Sequence, residues 1–236
     1  MTASFRPGVF ADGVRFVLEN PGLIADKTGE HLVLSGAAIG LALLLAIPLG
    51  VVLGHAHRGS FLAVNVGNVG RALPSLAVIA IGVAFLGIGF ANVLVALVVL
   101  AVPPMLTNAY VAVDEADADA VDAARAMGMS PAQVLLRVEL PLAAPLLFAG
   151  IRTSSVYVVA TATIAAVAGG GGLGEIIVDQ ASYRLEGVVG AALCVSALAL
   201  AVDVVFAALQ RAVTPPGVRS RVPAFEPEVS AARTAV

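Results

Sequence analysis

The 236-residue chain is 59% hydrophobic and 12% charged, with a mean hydropathy of +0.98, too apolar for an ordinary water-soluble domain and consistent with one multi-span membrane domain. A formal charge of −3 with a single lysine excludes the basic stripe that nucleic-acid binding needs. The lone Cys194 excludes a disulfide framework or a paired-cysteine metal site, so no metal is expected and the thiol reads as packing.

Residues 1–31 mix proline, glycine and both signs of charge, with a weak apolar pattern at Val9, Phe10, Val14, Phe16 and Val17. No basic head precedes an apolar stretch, so an interfacial helix is expected here and not a cleaved leader. A span needs about 20 apolar residues to cross roughly 30 Å of hydrocarbon. Five stretches qualify: residues 32–54, 64–86, 92–111, 142–168 and 187–209. The expected fold is therefore an all-α integral membrane protein with five transmembrane helices. Its transmembrane domain covers residues 32–212, followed by a polar, disordered tail over 213–236. Pro48, Pro74, Pro103, Pro104 and Pro145 mark expected kinks, and a tight turn around Gly87, Gly89 and Asn92 joins the second and third spans. His31 reads as an interfacial cap, and His55 and His57 as solvated residues at the inner end of the first span.

Between the third and fourth spans lies the one long polar segment, residues 114–141. Val113, Ala116, Ala120, Ala123, Ala124 and Met127 recur at spacings of three and four, which predicts a short helix from about Asp114 to Met127 with an alanine-rich stripe. Gly128 follows where a left-handed residue is needed to end the helix. Ser130, Pro131 and Gln133 then supply a capping-box start for a second helix, with proline at its first position. Pro141 is expected to close that helix or kink it into the fourth span.

Asp122-Ala123-Ala124, Gly128 and Glu139-Leu140-Pro141 resemble the E-A-A-x3-G loop, with its later L-P, of permease subunits of bacterial ABC importers. Residues 149–178, Glu30-His31-Leu32, Ile47-Pro48-Leu49-Gly50 and Leu73-Pro74-Ser75-Leu76-Ala77 resemble the permeases for glycine betaine, choline and related osmoprotectants. Asp122, a shorter anion in place of the usual glutamate, departs from that pattern, as do Arg71 and Ala160. The resemblance implies an ATPase-coupling loop carried by Asp122, Ala123, Ala124, Arg125, Gly128, Met129, Leu140 and Pro141. It also implies three partners: an ABC ATPase that binds the ATP and Mg, an extracytoplasmic substrate-binding protein, and a second permease subunit, identical or paralogous. No cofactor and no enzymatic activity are expected in this chain itself. An amino-acid permease of the same class, such as one for methionine, is the nearest alternative. A secondary transporter is the alternative from another class, though no internal repeat is evident.

Basic residues set the expected orientation. With the 114–141 loop inside, the cytoplasmic side carries Arg58, Arg125, Arg137, Arg211, Arg219, Arg221 and Arg233, with Arg71 and Arg152 near helix ends; the other side carries Arg6, Arg15, Lys27 and Arg184. This positive-inside bias gives an expected N-terminus outside and C-terminus in the cytoplasm, and the resemblance implies a multi-pass chain of the bacterial inner membrane. The glycines of residues 169–174 do not form a phosphate loop, because Leu173-Gly174-Glu175 offers an acid where a lysine is required. They read as a turn allowing close helix approach, or as a gate or docking surface. Asp203 lies inside the fifth span, where an acid costs on the order of 2.5–3.5 kcal/mol, and is expected either to pair with Arg152 or Arg71 or to face the cargo's cavity. Tyr110 and Tyr157 are the candidate aromatic residues of a substrate pathway, with packing against a neighbouring helix as the plainer alternative.

Overall fold

A computed structural model describes residues 8–214, and the expected disordered tail lies outside them from residue 215 onward. Among the described residues the ordered elements are helical. Helix α1 (Val9–Glu19) leads through Asn20 into α2 (Pro21–His55), with Pro21 at the first helical position. The second expected span is two helices, α3 (Ser60–Ala72) and α4 (Ser75–Leu86). Then come α5 (Phe90–Asp114), α6 (Ala118–Ala126), α7 (Pro131–Val134) and α8 (Leu140–Thr161), the last two joined by a π turn over Leu135–Glu139. A 3-10 turn (Ile164–Ala168), α9 (Leu173–Val178) and α10 (Gln180–Val213) complete the order.

Among the described residues, four helical stretches are long and apolar enough to cross a membrane: Pro21–His55, Phe90–Asp114, Pro131–Thr161 and Gln180–Val213. The second of the five expected spans, where Pro74 was expected to kink the helix, is instead interrupted there. Leu73 and Pro74 both have extended backbone, with ψ of 121°, because the ring of Pro74 disfavours the helical region for the residue before it. The apolar run of residues 64–86 therefore folds as two short pieces meeting at a bend. The first long helix also begins earlier than residue 32, and at about 1.5 Å per residue its 35 residues reach well beyond the hydrocarbon.

Helix α5 is the centre of the bundle, packing against α2, α3, α4 and α8. Its contact with α2 rests on a four-residue period of small side chains: Ala38, Ala42, Ala46, Gly50 and Gly54 are all buried on one face of α2. A Cβ at Gly50 would stand 2.6 Å from that of Ala109, and one at Gly54 would stand 2.7 Å from the Tyr110 carbonyl. In lipid, where apolar surface drives little association, such close backbone approach is what joins helices. Leu34, Val93, Leu97, Met105 and Val158 fill the core around this seam. Helix α1, expected at the interface, lies against α10, with Phe16 edge-on to Tyr183 at 6.5 Å between ring centres.

Candidate functional site

The polar loop is built by local chemistry that places its ends firmly. Asp117 caps α6 by accepting from the N–H of Ala120 at 3.1 Å, so this helix starts at Ala118 and not at Asp114, which still belongs to α5. Gly128 has φ +82°, its N–H donates to the Arg125 carbonyl, and the N–H of Met129 donates to the Ala124 carbonyl. Both bonds of a glycine-terminated helix end are therefore present. Ser130 and Gln133 make the reciprocal capping box, Ser130 N–H donating to Gln133 Oε1 at 2.9 Å. Pro141 does not close the second helix. The π turn ahead of it, with the N–H of Leu140 donating to the Leu135 carbonyl, carries the chain directly into α8.

Packing sorts the loop's predicted residues into two sets. Val121, Ala124 and Val134 form its small core with Ala116, Met129 and Val138, so the buried face takes Ala116 and Ala124 from the expected stripe, adds Val121 and leaves Ala123 and Met127 exposed. Asp122, Ala123, Arg125 and Gly128 are exposed, as is Met127 at 73%; Leu140 and Pro141 are half-buried where α8 begins.

Of the two histidines expected in solvent, His55 is instead half-buried against this loop, while His57, exposed as expected, reaches the loop's start. His55 Nδ1 lies 2.6 Å from Oε2 of Glu139, whose side chain is buried, and His57 Nδ1 lies 2.8 Å from Oδ1 of Asp114. The C-terminal end of α2 thus grips the loop at both its beginning and its end. Sequence reasoning used Glu139 only as part of a motif; its position between Val138 and Leu140, both apolar, was the available signal that it is buried.

At the opposite end of the bundle, Lys27 Nζ joins Glu30 at 2.9 Å and Glu175 at 2.5 Å. Glu30 Oε2 also accepts from the N–H of Gly172 at 2.8 Å. Gly172 has φ +79°, and a Cβ there would meet His31 at 3.1 Å, so the glycine run is a tightly specified crossing. His31 is fully buried, with Nε2 3.0 Å from the Val159 carbonyl, a correction to its expected interfacial place. Asp179 caps α10, and its bonds from Ser182 hold its carboxyl below the usual carboxylate range.

The three pathway candidates occupy separate surroundings. Tyr110 is buried in the α2–α5 seam, with Asp114 and Ser60 as polar neighbours. Asp203 receives two bonds from Arg152, at 2.5 and 2.6 Å, which pin α10 to α8. Tyr157 is 42% exposed and lines a cavity of about 200 Å³ together with Gly70, Leu100, Pro104, Thr153 and Ser154.

Comparison with known proteins agrees with this architecture. Residues 46–215 match the family described as binding-protein-dependent transport system inner membrane component. The chain is 39% identical to the choline transport system permease protein OpuBB of Bacillus subtilis, over 87% of its own length and 95% of the relative's. It is 38% identical to the glycine betaine/carnitine/choline permease OpuCB of the same organism, over 86% and 94%. The osmoprotectant import permease OsmW of Salmonella typhimurium is 33% identical, over 88% and 100%. An inward-facing structure of the MetNI methionine ABC transporter shares the fold, with a TM-score of 0.71 at 23% identity over 83% of this chain and 99% of that one. The chain belongs to the family of inner-membrane components of binding-protein-dependent ABC transport systems.

Proposed function

We propose that this permease carries choline, glycine betaine, carnitine or a similar quaternary amine inward, and that a separate ATPase drives it through residues 114–141. The observation that carries the assignment is the clamped loop. Asp122, Ala123, Arg125 and Met127 face outward on it, while His57 and His55 tie its two ends to α2. A push on the outward face would reach α2, α5 and α8 together. Asp122, Ala123, Arg125 and Met127 form the docking face, Ala124, Gly128 and Met129 hold its shape, and Leu140 and Pro141 pass its motion to α8. The relatives support the cargo, since they are named as permeases for choline, carnitine and glycine betaine.

The partners follow from the family. An ATPase subunit binds ATP and Mg, a binding protein delivers cargo from outside, and a second permease copy or paralogue completes the path. The α3–α4 pair makes one crossing, giving five with the four long helices. Residues 1–31 are the lead-in, 32–212 the permease core and 213–236 a cytoplasmic tail. The distribution of basic residues supports an N-terminus outside and a C-terminus in the cytoplasm.

Growth tests the cargo directly. Produced with its ATPase and binding protein in a bacterium stripped of osmoprotectant uptake, the chain is expected to restore growth at high salt when glycine betaine or carnitine is supplied. Rescue of a methionine auxotroph on limiting methionine, with no osmoprotection, would overturn the assignment and indicate an amino-acid importer.

A further inference from the structure

The cavity beside Tyr157 lies between α3, α5 and α8, and its lining includes a buried hydroxyl without a hydrogen-bond partner. Ser154 is 1% exposed, lines the cavity, and has no hydrogen-bond partner for its Oγ. A helical serine or threonine ordinarily returns its hydroxyl to the carbonyl four residues back, as Thr153 does to Ala149 at 2.9 Å. Pro104 has no N–H, so the carbonyl of Leu100, one turn earlier on the same wall, lacks its usual helical donor. Tyr157 stands three residues beyond Ser154 and four beyond Thr153, which puts all three on one face of α8.

No charged side chain is among these lining residues, and Asp203, the acid within α10, is already held by Arg152. The volume is below the roughly 300–1,000 Å³ of pockets for drug-sized ligands, so it suits a solute of few heavy atoms. A neutral cradle of this kind fits one chemistry well. A quaternary ammonium has no N–H to donate and spreads its charge over its methyl groups, so an aromatic face and carbonyl or hydroxyl oxygens satisfy it without an ion pair. Weak binding is also what transit requires, since a site that passes its cargo must release it.

We propose that this cavity is the membrane-depth transit site for the trimethylammonium head of the cargo. Tyr157 offers its ring face, the Leu100 carbonyl and Ser154 hydroxyl offer oxygen, and Ser154 can also donate to the cargo's hydroxyl or carboxylate. The proposal rests on the quaternary-amine cargo assigned above.

The test uses vesicles holding the whole importer, with Cys194→Ser and Thr153→Cys in the permease so that one thiol reports on the cavity. Choline is expected to slow alkylation of that thiol, and its neutral carbon isostere 3,3-dimethylbutan-1-ol is not. Adding Tyr157→Leu should weaken the choline protection by about tenfold, whereas Tyr157→Phe, which keeps the ring, should retain it. Equal protection by both compounds, or none from choline in an importer that still takes up choline, would overturn the proposal and leave an acyl-chain pocket. If Thr153→Cys prevents assembly, the same Leu and Phe exchanges at Tyr157 are read by choline uptake, and equal uptake by the two is the contrary result. An importer that carries another solute and not choline would defeat the cargo assignment instead. The protection assay run with that solute then decides the cavity, and failure to protect overturns the transit site as well.

Discussion

Glu139 shows how much one side chain can organise. It is 1% exposed, Oε1 has no partner, and Oε2 meets His55 across 84 residues of sequence. Removing the sole partner of a buried polar group leaves its desolvation uncompensated, at a cost of about 1–3 kcal/mol. His55→Ala is therefore expected to lower the thermal midpoint of the purified chain, and to loosen the π turn before α8. His55→Gln, which keeps a donor, should lose less. An unchanged midpoint in His55→Ala would show that the contact does not hold the loop. The comparable pair of His57 and Asp114 is exposed on its histidine side, so its removal should cost less stability than that of His55 and Glu139 while still freeing the start of the loop.

At the scale of elements, Gly128 is the most local determinant of the loop. A Cβ there meets nothing within 4 Å, so the restriction is its φ of +82° alone. Gly128→Val forces a β-branched residue into the left-handed region, a strain of about 1–2 kcal/mol, equivalent to a factor of roughly 5–30 in the population of the folded turn. Membrane insertion should be unaffected while osmoprotectant uptake falls by a comparable factor; wild-type uptake would refute the coupling role. This turn, the capping box and the spans near 92–111 and 187–209 were legible in the sequence because their causes are local: a glycine, a cap, a run of apolar residues. The buried face of α6 was not. There Val121 joins Ala124 while Ala123 is left exposed, which depends on Val134 and Val138, residues that reach the helix only after the Gly128 turn. The histidines were misread for a similar reason. Nothing adjacent to His31 or His55 announces Val159 or Glu139, since both contacts form only when the helices pack. The break at Leu73-Pro74 was written in the sequence as a kink, and the backbone makes it a full interruption.

For the whole molecule, the central fact is that long apolar surfaces remain uncovered around a well-packed α2–α5–α8 core. Leu200, Val204, Val205 and Leu209 of α10 are exposed, as are Phe61 and Val69 of α3 and Phe85 of α4. In a membrane such faces meet acyl chains or the helices of a partner. The link of Lys27, Glu30 and Glu175 and the contacts of His55 and His57 lie at the two opposite ends of the bundle. The measurement that tests this account most directly is uptake of labelled choline by vesicles containing the chain, its ATPase and its binding protein, with and without ATP on the ATPase side. Uptake that requires both ATP and the binding protein, and that unlabelled glycine betaine inhibits while methionine does not, is the predicted result. Accumulation that proceeds equally well without ATP would contradict it.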